Sequence, residues 1–543
     1  MQMNEKLYRY FLEEMHELER FRMEYAARHP SASLDRDDPD IKRLVEALAF
    51  FAARTHNAGL NNIVSARLRI FQQFFPFLLS PLPVMGMLQA VPTGRFSETA
   101  ILPRGSQILI SPGRGGKSAV FRTIKDLRIL PVSLTETKLL LLPDRGFRLL
   151  LCIESMYDRT DDIGKISFNI DHLNNYQASL LIFDNLRNHM KRAMVVFDKK
   201  ADENSKGISC SIIFGNDPEQ SKIQKREMHP LQKARFFFQL PQQDLFMTID
   251  IPDRKKTWKK FTICIDLDDK WPGKLIINKD IFKLHAVPME NLIKEATIPL
   301  IYDGTKESFL IRHPELDKGY ELQSVKGVYQ IKDGAMLPLK PGILSGGEGS
   351  YEIERKTGKS GKTQYWLHLH YSKAFMDPVT IVVEVLWYQP GFSKMISDQL
   401  KALPYSRDIT GVNWEICDTI VPHRKSNFQE NMDGFMHLLT IKNKSILTYD
   451  DITSLLELLG SVWKGHFKPV KDLFYDLRVE HVSSGRGKDL SGLIKFVYYL
   501  KFHACEQGMI PLIKTFTEQV EKILDSWISD AVIETGMEID AVQ

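Results

Sequence analysis

LYRYFLEEMHELERFRMEYAARHP, residues 7–30, followed by DPDIKRLVEALAFFAAR at 38–54, decides how this chain is divided. Leu7, Phe11, Met15, Leu18 and Tyr25 recur at three- and four-residue spacing, which puts them on one face of an α-helix. Glu13, Glu17, Arg20, Glu24 and Arg28 make the charged face. His29-Pro30 ends the helix, because proline disfavours helical geometry in the residue before it. Asp38 suits an N-cap and Pro39 the first helical position, whose N–H needs no partner. Ile41, Leu44, Val45, Leu48, Ala49 and Ala52 then form a second apolar stripe. A third helix through Leu68, Phe71, Phe74 and Phe75 runs into Pro76 and the closing Ser80-Pro81-Leu82-Pro83. Three helices are therefore expected before the first strand.

The rest of the composition narrows the function classes. At 543 residues there is room for two to four domains, and 43% apolar with 26% charged residues describes a globular protein. Lys plus Arg is 72 and Asp plus Glu 68, a balance unlike that of a dedicated nucleic-acid binder. The start, Met1 to Lys6, has no basic-then-apolar signal pattern, and Phe74–Leu79 falls far short of the roughly 20 residues that span a bilayer. Five scattered cysteines without a C-x-x-C pair argue against a disulfide framework or a zinc ribbon and favour a reducing cytoplasm.

After Pro83 the period changes to two. Met85–Ala90, Ser106–Ile110, Ala119–Thr123, Arg148–Ile153, Ile208–Ile213 and Thr380–Trp387 read as strands. Asp198–Gly207 and Gly215–Glu227 read as solvated loops. Ser111–Ser118 looks like a phosphate-binding loop, but Ser111 replaces its first glycine, Pro112 withdraws a donor and a strand follows, so a hairpin tip is expected. Phe236–Phe238 is expected to pack in the core rather than stack on bases. His368 and His370 share a strand face with no third ligand at hand. Asp161-Asp162 and Asp268-Asp269 are adjacent pairs that point apart and form no dyad. No metal, cofactor or catalytic set is expected. Beyond Pro422 three more helices are expected: one capped by Thr448 with Asp451, carrying Ile452, Leu455, Leu456, Leu459 and Trp463; one through Leu493, Phe496, Val497 and Leu500; and one through Phe516, Val520, Ile523, Leu524 and Trp527.

The fold class expected is α+β. N-terminal amphipathic helices at 1–83 precede central antiparallel β-rich regions at 84–251 and 252–404, and a mixed domain at 405–543 ends in helices.

A series of segments also carries a resemblance. Leu7-Tyr8, Tyr10-Phe11, His29-Pro30-Ser31-Ala32, Asp38–Ile41, Arg43–Phe50 and Ala52-Ala53-Arg54 open it. Leu102–Ser106, Phe121–Thr123, His229–Leu231, Leu284–Leu292, Tyr320–Val328 and Trp387–Phe392 continue it in order, weakening after about Leu477. Together they resemble TssF, also called VasA or ImpG, a baseplate subunit family of type VI secretion. His285 and Glu290 depart from that pattern, where smaller or apolar residues are expected.

The resemblance implies a structural wedge subunit that is not an enzyme. Two copies would join one TssG, contacting TssK and TssE around the VgrG spike, with membrane contact only indirect and no nucleic acid. The partner interface expected is Leu7, Phe11, Leu18, Leu44, Leu48, Phe71, Phe74 and Phe75. The readings kept beside it are a helical subdomain packing only on its own chain, a β-rich hydrolase-like enzyme, and an adaptor unrelated to secretion.

Overall fold

The computed structural model describes residues 2–30, 38–113, 117–215, 228–253, 256–342, 349–357, 363–371, 378–394, 400–405, 409–426, 433–482, 494–528 and 531–541. Two compact units result, residues 1–76 and 77–543. The first is a two-helix hairpin, α1 (Gln2–Arg28) and α2 (Pro39–Phe74). The second and third helices expected from sequence are thus one unbroken helix. Nothing between Ala52 and Leu68 stops it: no proline occurs there, and Gly59 keeps helical geometry with open space beside it. Pro76 does end it and opens the single turn α3 (Pro76–Leu79), whose Phe77, Leu78 and Leu79 are buried.

The second unit is built on mainly antiparallel sheets. One has six strands in the order Leu400–Pro404, Gln107–Pro112, Ala119–Thr123, Ala286–Glu290, Met85–Pro92 and Val412–Val421. Strands from all three regions expected at 84–251, 252–404 and 405–543 therefore share this sheet, and its core is Leu88, Ile108, Ile110, Phe121, Val287 and Met289. An eight-stranded sheet runs Phe282–Leu284, Gly164–Ile170, Phe246–Ile251, Ile208–Phe214, Met190–Phe197, Trp258–Leu267, Phe147–Arg159 and Val132–Leu141. Five- and four-stranded sheets from 293–388 enclose a third core around Val328, Leu367, Ile381, Val383 and Trp387.

Two helices interrupt a region expected to hold only strands and loops: α4 (Tyr176–His189), capped by the Asn175 side chain, and α5 (Pro230–Gln239), capped by His229. Phe236, Phe237 and Phe238 are buried on α5, as expected of core packing. The Asp198–Gly207 loop is not simply solvated. Arg148 bonds Asp266 through both Nε (2.6 Å) and Nη2 (3.0 Å), and its Nη1 donates to the carbonyls of Asp202, Glu203 and Ser205. That tethers the loop across the sheet and buries Ala201 among Leu150, Met194, Val196 and Cys264.

Near the carboxyl end come α6 (Asp433–Lys442), α7 (Tyr449–Leu459), α8 (Lys468–Leu473) and α9 (Ile510–Trp527). Thr448 and Asp451 cap α7 reciprocally, as expected; Gly460 ends it before Trp463. The expected Leu493–Leu500 helix is instead a strand, Ile494–Phe502, with Phe496, Tyr498, Leu500 and Phe502 buried at period two. It pairs antiparallel with Phe474–Val482 and parallel with Ala531–Ile539, so the described chain closes on a strand rather than on helices. The α9 stripe is buried throughout.

One buried arginine joins these parts. Arg235 of α5 donates Nε to Leu459 O (2.9 Å), Nη2 to Ser80 O (3.1 Å) and Nη1 to Phe77 O. The cation thus meets carbonyls at the ends of α3 and α7, where helix dipoles favour positive charge. Burial without a carboxylate partner pulls its pKa down to about 10.

Candidate assembly interface

Within the hairpin, α2 turns Ala49 and Ala53, both fully buried, into the seam with α1, so the helices close tightly. Leu7, Phe11 and Leu18 are half-buried along α1. The Tyr10 ring stacks on His56 at 5.0 Å, and His56 Nδ1 lies 3.4 Å from Glu14 Oε1. Ion pairs such as Arg9–Glu13 and Arg20–Glu17 lie in solvent and contribute little.

Each helix carries a second apolar stripe that the seam does not cover. On α2 it is Leu44, Leu48 and Phe51, 60%, 50% and 61% exposed at i, i+4 and i+7. On α1 it is Tyr8, Leu12 and Met23, all exposed. Phe21, Phe50 and Ile63 are exposed as well. Monomeric proteins rarely leave contiguous apolar surface of this kind open; such patches mark interaction sites.

The expected interface residues therefore divide. Leu44 and Leu48 stand outward, while Leu7, Phe11 and Leu18 are half-covered and Phe75 is buried. Phe71 and Phe74 belong to α2, but their side chains lie outside the described residues. Sequence reading missed Tyr8, Leu12 and Phe51, whose signal was present: they repeat the helical spacing about 100° from the first stripe.

The other chemical candidates resolve into structural pairs. His368 meets Glu354 at 2.7 Å and His370 meets Glu352 at 3.9 Å across the neighbouring strand. Arg159 holds the Asp161 carboxyl below the usual range. Asp268 pairs with His189 at 3.0 Å. Lys117 donates to Asp317 O at 3.0 Å, and the strands either side of 114–116 pair as a hairpin with no helix after them. Glu290 takes Arg122 Nε and Nη2 at 2.8 and 2.6 Å, so its departure from the expected pattern is paired. All five cysteines are free, and burial pushes the Cys210 and Cys264 thiols up to about 11 and 12. Among the described residues no His, Cys, Asp and Glu group is arranged to hold a metal. No helix among them is long and apolar enough to cross a membrane.

N-terminal helices followed by a β-rich body and further helices make this an α+β chain, the fold class expected from sequence. The family model for TssF of the type VI secretion system matches residues 3–345, more than half of the chain.

The chain belongs to the TssF family.

No curated protein matches it. Among solved structures, a chain of the type VI secretion TssK–TssF–TssG baseplate subcomplex, seen by cryo-electron microscopy, is similar with a TM-score of 0.70. The identity is 16%, over 92% of this chain and 96% of that one. A chain of the type VI secretion baseplate complex is similar at 0.58, also 16% identical, over 98% and 96%. At that identity the likeness establishes the fold, and the TssF assignment rests on the family match.

Proposed function

We propose that this chain is a structural subunit of the baseplate on which a contractile type VI secretion tail assembles, with its first two helices as the assembly interface. The observation that carries this reading is the open Leu44–Leu48–Phe51 stripe on a helix already packed along its opposite side. Membership of the TssF family supports the secretion role. The similar solved subcomplex contains TssK and TssG, which supports those two as partners. The resemblance extends the reading to TssE, to the VgrG spike and to two copies of this chain per TssG.

In this reading 1–83 is the assembly region and 84–251, 252–404 and 405–543 form the body. The protein works by conformational change, as a mechanical part and not as an enzyme, without metal or nucleotide. It acts at the cytoplasmic face and reaches the inner membrane only through partners.

Co-expression with TssG tests the interface. Leu44→Asp and Leu48→Asp place a carboxylate in each open stripe position without touching Ala49 or Ala53. Both are expected to abolish co-purification with TssG while urea unfolding of the body stays unchanged. Native mass spectrometry of the wild-type complex is expected to give two copies per TssG. Undiminished capture by the Leu48→Asp chain would show that the hairpin serves its own unit alone.

A further inference from the structure

Helix α9 packs against both α4 and α5, and the three border a cleft of about 1270 Å³. Its apolar lining comes from Leu180 and Phe183 of α4 and Ala234 and Phe237 of α5, with the Phe214 ring edge-on to Phe183 at 5.6 Å. From α9 it receives Thr515, Glu518, Gln519, Lys522 and Ser526, which repeat at three- and four-residue spacing and so form one side of that helix. None of the lining belongs to the amino-terminal hairpin.

The charges around the cleft answer one another. Seven basic and six acidic side chains line it. Lys514 meets Asp184 at 2.9 Å and Arg187 meets Glu518 at 3.7 Å, both bridging α9 and α4. Arg122 is held by Glu290 at 2.6 Å, Lys125 has Asp244 beside it, and Glu521 takes the Thr535 N–H at 2.9 Å. Lys522 and Asp525, one turn apart on α9, are exposed and of opposite sign. A charged occupant therefore gains little here.

Gln519 is different. Its side chain is only 6% exposed and lines the cleft, yet among the described residues its amide makes no hydrogen bond. A primary amide offers a carbonyl acceptor and N–H donors side by side, the complement of a peptide group. An extended chain leaves its peptide N–H and C=O free to use such a partner, whereas a helix spends them on itself. The volume also exceeds the roughly 300–1,000 Å³ of small-molecule sites. Gly215 and Met228 line the cleft as well, and the stretch between them, NDPEQSKIQKRE at 216–227, offers a single aliphatic residue, Ile223, to match the apolar lining.

We propose that this cleft docks an extended, uncharged, apolar segment of a partner protein, whose main chain pairs with the Gln519 amide while its side chains cover Phe183, Phe214 and Phe237.

Random linear dodecapeptides displayed on phage and selected on the immobilised full chain supply the probes, each remade as a labelled peptide and measured by fluorescence anisotropy. The selected peptides are expected to be uncharged and rich in aromatic and branched residues, with affinity little changed by salt. Thr515→Trp puts a ring into the cleft from a half-buried position and should abolish binding. Gln519→Met keeps the length of the side chain and removes the amide. It should weaken binding about tenfold and leave the melting temperature of the free chain unchanged, because that amide bonds nothing within the protein. Leu48→Asp should bind the peptides as the native chain does, which keeps this result separate from the test of the amino-terminal interface. Failure to select any peptide, selection of charged peptides that salt releases, binding only by helical peptides, or affinity untouched by both cleft variants would each overturn the assignment. So would a dimer of the full chain, seen by sedimentation, that Thr515→Trp dissolves, since the occupant would then be a second copy.

Discussion

Arg148 is the most informative single side chain in the body, and Arg148→Met tests why. The substitution keeps the length of the stem and removes the guanidinium. In the native chain that group is almost wholly buried, makes two charge-assisted bonds to Asp266, and gives Nη1 to three loop carbonyls at 2.9–3.1 Å. Removing one partner of a buried pair typically costs about 3–5 kcal/mol, because the other charge is left behind. Asp266 is not left wholly alone, since Arg192 Nε also reaches it at 2.7 Å. Asp202 and Glu203 face solvent, so water can replace the donor to their carbonyls. Both facts place the expected loss at the lower end, about 3 kcal/mol.

Urea unfolding of the full chain gives that number, and hydrogen exchange across 198–207 should rise by more than the global change predicts, because the tether itself is gone. A pH series adds a signature. Burial alone lifts the Asp266 carboxyl, and the bonds from Arg148 and Arg192 outweigh it and hold it below the ordinary range. A depressed carboxylate contributes stability above its unfolded pKa and loses it as pH falls through the folded one. Arg148→Met should therefore flatten the acid limb of the stability curve. A loss under about 1 kcal/mol with unchanged loop exchange would refute the claim that this side chain tethers the loop.

Three further tests are independent of it. Burial pushes the His285 ring from its ordinary 6.5 down to about 4, so the neutral form is the folded one. Stability should be full above pH 6.5 and fall by roughly 3 kcal/mol as pH drops toward 4. Chemical unfolding at stepped pH measures this, and His285→Asn, which tolerates the left-handed backbone there (φ +53°), should remove that slope. Thr448→Ala breaks the reciprocal cap of α7 and should cost about 1 kcal/mol in urea unfolding. Gly411→Ala should cost about 1–3 kcal/mol by the same assay, since φ is +84° and the new methyl would stand 2.7 Å from Phe96 N, against backbone that cannot swing aside.

What sequence made legible follows from how local each signal is. The α1 stripe, the Pro76 stop, the Thr448 cap and the α9 stripe are each set by residues within a few turns, and the structure has all of them. The strand Ile494–Phe502 misled because KFVYYLKF is apolar at nearly every position, so three-and-four spacing can be drawn through it as readily as alternation. Only pairing with Phe474–Val482 and Ala531–Ile539 decides between them, and those partners are distant in sequence. Helix α5 was legible in principle, through His229 as cap and Pro230 in the first turn, but three consecutive phenylalanines masked its period. The interface was half legible. Periodicity found Leu44 and Leu48, yet it could not say that Leu7 and Phe11 sit half-covered inside the hairpin, because that depends on which face the alanines of α2 claim.

The six-stranded sheet also has a consequence for synthesis. Its first central strand, Met85–Pro92, lies between Ala286–Glu290 and Val412–Val421. The ribosome must therefore travel from residue 76 to residue 421 after completing the hairpin before that sheet can close. At about 5–20 residues per second that interval is roughly 17 to 70 seconds. Throughout it the Leu44–Leu48–Phe51 stripe is already outside while the body that follows is unfinished. A nascent chain of this kind gains from meeting its helical partner early, and translation of the two from neighbouring messages would shorten the time its greasiest surface waits in water.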